Sequence, residues 1–214
     1  MRKLILGICF LLSWSIQAQE TSADSLLLDL TAEMPSTVEF FPEKMMWTQR
    51  ALWGERGLYR KIGLAPREIT FETREKELKI RRTMFRIHQI VGIATAVGMA
   101  AQGYVGYRIY RPETYTTQMY EFHKGLATGV NIAYGTTALM SFAAPPALLS
   151  SKRIDNMRVH KWLSYVHLTG MITTNVLGQR IANDFQVNKP LHRAAALTTF
   201  GAYAAAIAII KFEF

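Results

Sequence analysis

Apolar positions gather in four runs of roughly 18 to 22 residues, at about 87–109, 122–143, 159–177 and 191–210. Each is long enough to cross a bilayer as a helix at about 1.5 Å per residue. The polar breaks between them are short. Residues 110–120 contain Pro112, Pro145 and Pro146 end the second run before a loop with Lys152, Arg153 and Asp155, and residues 178–190 carry Asn183, Asp184 and Pro190. Short links make successive helices antiparallel neighbours. The pattern therefore predicts an all-α fold, a transmembrane up-down four-helix bundle over residues 84–214 with an N-terminal extramembrane segment.

That segment, residues 20–83, has a different texture. Pro35, Pro42 and Pro66 with Gly54, Gly57 and Gly63 break it into short pieces. Met45, Met46, Trp47, Leu52 and Trp53 suit an amphipathic turn that either rests on the membrane or caps the bundle, and capping is the preferred reading. From Glu72 the chain becomes a strong helix former, with Glu75–Lys79 and Glu77–Arg81 at favourable four-residue spacing, and should run straight into the first span. Ahead of it, Met1, Arg2 and Lys3, an apolar core at 4–14 and small or polar residues at 15–19 read as a signal peptide over 1–19. A retained signal anchor is the alternative.

Composition sharpens this picture. The 214 residues are 50% hydrophobic with mean hydropathy of only +0.06, because the charge lies outside the four runs. The formal net charge of +9 flanks the spans instead of forming a nucleic-acid motif, so no nucleic-acid partner is expected. Orientation signals conflict. Export of residues 20–83 by the signal leaves more Lys and Arg outside than inside, against the positive-inside rule. The signal drives export directly and is followed here. The expected location is a bacterial inner (plasma) membrane with the N-terminal segment outside the cytoplasm. Cys9 is the one cysteine and falls in the signal, which excludes disulfides and covalent c-type haem from the mature chain.

Each apolar run opens with a histidine: His88, His123, His160 and His192. Because the helices alternate in direction, His88 and His160 fall in one leaflet and His123 and His192 in the other. The fifth, His167, lies two turns deeper than His160 on much the same face. Ionisable side chains within a membrane are costly and usually functional. Neutral imidazole is a good iron ligand, and two from facing helices would hold a six-coordinate haem suited to electron transfer. The expectation is two non-covalent b-type haems with iron ligated by His88 and His160, and by His123 and His192. His167 is an alternative ligand to His160, a partner of a propionate or quinone, or a residue that only bonds across helices, and His160 is placed first as ligand. Lys124, Arg158, Lys161 and Arg193 are candidates to neutralise propionates. Catalytic carboxylate pairs, nucleophile triads and phosphate loops are absent from the sequence, so no bond-making catalysis is expected.

Phe85, Arg86, Ile87 and His88, followed by Gln102, Gly103 and Tyr107, Arg108, Ile109 and Tyr110, resemble the first histidine-bearing helix of the cytochrome b561 family. His160, Lys161 and Trp162 resemble its His-Ser-Trp element, and His123 with Gly125 and His192 fit its other ligand positions. The resemblance covers about residues 84–210 and implies a di-haem transmembrane electron carrier with first and third, and second and fourth, helices paired. Animal members carry an extra helix on each side of this core, and His167 and residues 20–83 have no counterpart in it. Expected partners are membrane lipid, a quinol or small reductant, a redox protein docking on residues 20–83, and a second copy of the chain as a homodimer. Two other readings stand beside it. One is a haem-free membrane scaffold with structural histidines. The other is a divalent-metal transporter, weakened by the near absence of Asp and Glu from the spans.

Overall fold

The computed structural model describes residues 40–148 and 156–211, and among them every regular element is helical. The signal-peptide reading of 1–19 and the loop residues Lys152, Arg153 and Asp155 lie outside the described residues. Two short helices, α1 (Trp47–Trp53) and α2 (Leu58–Lys61), precede four long ones: α3 (Phe71–Tyr110), α4 (Thr117–Ala143), α5 (Asn156–Arg180) and α6 (Phe185–Lys211).

Local chemistry sets the ends. Thr70 and Thr73 form a reciprocal capping box at the start of α3, each hydroxyl accepting from the other residue's backbone N–H. Helix α3 then runs unbroken for 40 residues. Exposed Glu72–Lys76 and Glu75–Lys79 pairs line its first turns. Glu77 does not take Arg81 as expected; it turns inward to Arg60 and Arg74. The Thr116 hydroxyl caps α4 by accepting from Met119 N–H, and Pro145 and Pro146, without N–H groups, prevent its continuation. Helix α6 begins at Phe185, six residues before the expected Leu191. Asp184 Oδ1 accepts from Val187 N–H at 3.1 Å and caps it, so Pro190 sits inside the helix and costs one backbone bond without ending it.

Helix α3 packs against α4, α5 against α6, and α3 touches α6. The backbones of α4 and α5 stand farther apart. Side chains bridge them: Asn131 and Asn175 exchange amide hydrogen bonds of 2.8 and 3.0 Å, and the Tyr134 hydroxyl meets His167 Nδ1 at 2.7 Å. The interior mixes Met99, Val130 and Met171 with buried Thr95, Thr137, Thr199, Tyr134, His167 and Tyr203. The outer faces are apolar instead, with Ile90, Val97, Ile132, Leu139, Ile172 and Leu197 all well over half exposed.

Two helices, α3 and α6, are long and apolar enough to cross a membrane, where four were expected. The other two fall short because they carry many hydroxyls and amides. Most of these are satisfied within their own helix: Thr128, Thr136, Thr169 and Thr173 each donate to the carbonyl four residues back. Asn175 does the same to Met171 O.

The described part of the N-terminal segment, residues 40–83, is less irregular than its glycines and prolines suggested. It packs on the C-terminal end of α4, where carbonyls lack helical partners and carry the negative end of the dipole. Trp53 Nε1–H donates to Ala143 O at 2.7 Å, Arg81 to Pro145 O at 2.6 Å and Arg74 to Pro146 O at 3.2 Å. Trp53 is 5% exposed, whereas Trp47 in the same helix is 78% exposed. Replacing Trp53 by Phe should cost about 1–3 kcal/mol, from the orphaned carbonyl and the lost indole volume. A thermal melt of the detergent-solubilised protein reads this directly.

Candidate functional site: two layers of paired imidazoles

The interior faces of α4, α5 and α6 carry a histidine near the N-terminal end, and that of the longer α3 carries His88 near its middle. On α3 the inward positions are His88, Gly92, Thr95, Met99, Gln102 and Gly106, at three- and four-residue steps that keep them on one side. The matching face of α5 begins at His160. The rings of His88 and His160 lie with centroids 6.5 Å apart and planes at 75°, an edge-on contact. Both are half-buried, and their Nδ1 atoms are engaged. His88 Nδ1 is 2.9 Å from Thr137 O on α4, with the Ser141 hydroxyl 3.1 Å away. His160 Nδ1 is 2.8 Å from Ala206 O on α6. A carbonyl accepts only, so Nδ1 carries the proton in each ring and Nε2 keeps its lone pair.

This is the arrangement a bis-imidazole metal centre needs. Metal–imidazole bonds of about 2.0–2.1 Å, with each centroid about 1.2 Å behind its nitrogen, place two coaxial rings about 6.4 Å apart. The bond from the distal N–H to a backbone carbonyl, which orients such ligands, is already present in both rings. The observed spacing therefore fits one iron between His88 and His160.

The second layer lies at the other end of the helices. Fourteen residues separate His88 from Gln102 (102 − 88), about 21 Å at about 1.5 Å per residue. Here His192 Nδ1 is 2.8 Å from Thr174 O on α5. His123 Nε2 accepts from the Gln102 amide at 3.1 Å, and the same amide donates to His123 O at 3.0 Å. Two glycines make room for these rings. A Cβ at Gly178 would sit 3.1 Å from His192 Cε1, and one at Gly106 would sit 3.2 Å from His123 Cε1. Gly178 follows Thr174 by one turn, so a side chain there would stand across the path of the imidazole to the Thr174 carbonyl. Neither Gly178 nor the histidine-binding role of Gln102 emerged from the sequence. Glycine four residues after a carbonyl that faces a histidine is a signal, but it is visible only once the helices are placed.

His167 sits between the layers in a different setting. Its ring lies 5.6 Å from Tyr134 and 4.9 Å from Tyr203, with its Nδ1 on the Tyr134 hydroxyl. Tyr203 in turn donates to Gly92 O at 3.1 Å. His160 takes the place opposite His88, and His167 joins an aromatic centre packed among α4, α5 and α6. Of the cations considered for propionates, Lys124 pairs with Glu121 at 3.1 Å and Arg193 stacks on Tyr110 at 4.9 Å. Lys161 is exposed and Arg158 half-buried.

Among the described residues no three histidine, cysteine or carboxylate groups converge as a metal site. No family model, curated protein or solved structure matches the chain.

Proposed function

We propose that the chain is a transmembrane b-type cytochrome of the cytochrome b561 kind, a four-helix bundle relaying electrons between a quinol or other reductant and a partner on the opposite face. The observation that carries this reading is the His88–His160 pair, 6.5 Å apart with both Nδ1 atoms on backbone carbonyls. His88 and His160 would hold one haem, and His123 and His192 the second. Each haem supplies a centre that accepts and releases one electron at a time.

The chain's own residues do the rest. Thr137, Ala206 and Thr174 carbonyls fix the tautomer and direction of three ligands. Gly106 and Gly178 let imidazoles lie against backbone in the second layer. The apolar outer faces and satisfied inner hydroxyls support a lipid surround for all four helices, since a bilayer tolerates no unpaired backbone and little unpaired polarity. The absence of carboxylates from the inner faces of the four spans argues against cation transport.

The test is a dithionite-reduced minus oxidised visible spectrum of the purified full chain, expressed with ample haem supply. The expected result is a sharp b-type α band and about two haems per chain. Haem-free protein would sink the proposal and leave a membrane scaffold with structural histidines.

A further inference from the structure

Three of the four end-layer imidazoles are oriented by a neighbouring helix's backbone carbonyl, at 2.8–2.9 Å from Nδ1. His123 is the exception. Its Nε2 accepts from Gln102, so its proton also resides on Nδ1, yet that Nδ1 is buried with no partner. Gln102 Oε1 is buried without a partner too. One orphan is a donor and the other an acceptor, and they belong to two side chains already in contact. Buried polar groups are rarely left in this state. A matched pair of orphans is what remains when an imidazole points its coordinating nitrogen at the group that should orient it.

We propose that Gln102 is the positioning residue of His123, the side-chain counterpart of the three carbonyls. When His123 turns Nε2 toward the iron of the second haem, Nδ1–H leaves its empty surroundings and donates to Gln102 Oε1. The Gln102 amide stays fixed through its bond to His123 O. Gly106, one turn further along α3, leaves the imidazole room to turn. The second haem would thus have one ligand oriented by a side-chain amide alone, whereas the Ser141 hydroxyl in the first layer only joins the Thr137 carbonyl already at His88 Nδ1. This inference rests on the two-haem reading, and the experiment separates the two.

The full chain is purified in detergent with haem supplied, as wild type, Gln102→Leu and Gln102→Glu. Haem per chain and the midpoint of each haem are measured by spectroelectrochemical titration. A carboxylate acceptor makes the imidazole a stronger electron donor and favours ferric iron, so Gln102→Glu should lower one midpoint by about tenfold in the reduction equilibrium, about 59 mV. Gln102→Leu should raise that same midpoint or weaken retention of that haem by about 10–100-fold, the usual effect of losing such a partner. The other midpoint stays put in both variants. Shifts of the same sign in both variants, equal movement of both haems, or no change would overturn the role of Gln102 while leaving the two-haem reading intact. Should Gln102→Leu fail to fold, the single-midpoint shift in Gln102→Glu decides alone. Wild-type protein without haem would remove the parent reading and this one with it.

Discussion

If the chain holds two haems as proposed, His88→Ala and His160→Ala should each reduce the haem content from about two per chain to about one, while His167→Ala should keep both. The first two substitutions remove one side of a facing pair whose spacing already suits a shared iron. The remaining imidazole would leave a five-coordinate site, and a non-covalent haem held by one ligand is lost readily in detergent. Removing His167 instead disrupts the Tyr134 hydrogen bond and the stack on Tyr203. That is a packing and hydrogen-bond loss of about 1–3 kcal/mol, felt in the melting temperature and not in the count of haems. Pyridine-haemochrome assay on each purified variant makes the distinction. Loss of one haem from His167→Ala with two retained in His160→Ala would reverse the assignment and make His167 the partner of His88.

The second layer predicts the same arithmetic for His192→Ala, and the contrast with His123→Ala carries information about Gln102. If Gln102 orients His123, the two substitutions remove equivalent ligands, and both should leave the His88–His160 haem with its wild-type spectrum.

How much of this was legible in the chain depends on the range of the interaction. Histidines at the head of successive apolar runs fall alternately at the two ends of antiparallel helices, and His88 and His160 are brought close to one another. The unbroken passage from the charged start of α3 into its apolar part was legible from propensity and from Glu75–Lys79. What failed was local evidence outweighed by its neighbours. Pro190 suggested a helix start, but the Asp184 cap lies six residues earlier and starts α6 there. Glu77 matched Arg81 by spacing, but two arginines from elsewhere in the fold won it. The polar content of α4 and α5 lowers their hydropathy, although many of their threonines are bonded to their own helix. Partners such as Thr174 for His192 or Gln102 for His123 join different helices, and no spacing rule in a single sequence selects them.

The largest stability effect is expected at Glu77, which is 1% exposed between Arg60 and Arg74, themselves 3% and 2% exposed. Arg60 Nη2 stands 2.6 Å from Glu77 Oε1, off the axis of a good hydrogen bond, so that contact is an ion pair. The other carboxylate oxygen takes Arg74. Two guanidinium groups against one carboxylate leave an excess positive charge, which faces the negative end of α4 through Arg74 and Pro146 O. Backbone carbonyls of Trp53, Gly54 and Pro66 occupy the remaining donors of Arg60, Phe40 O takes Arg74 Nε, and the Phe41 ring lies 4.7 Å from the Arg74 guanidinium. Removing the carboxylate strands both cations in a dry site. Glu77→Ala should therefore cost about 3–5 kcal/mol, the range for breaking a buried pair from one side. Glu72→Ala, which breaks an exposed pair on the same helix, should leave the melt essentially where it was. Residues 40–66 are held to the end of α4 by this cluster, and His88 approaches Ser141 and Thr137, two and six residues before that end at Ala143. Glu77→Ala should consequently expose residues 40–66 to limited proteolysis before the helices open, and loosen the haem at His88 and His160 more than the one at His123 and His192. Equal loss of both haems, with no early cleavage, would mean the cluster stabilises the helices as a whole and gives the first layer no cover of its own.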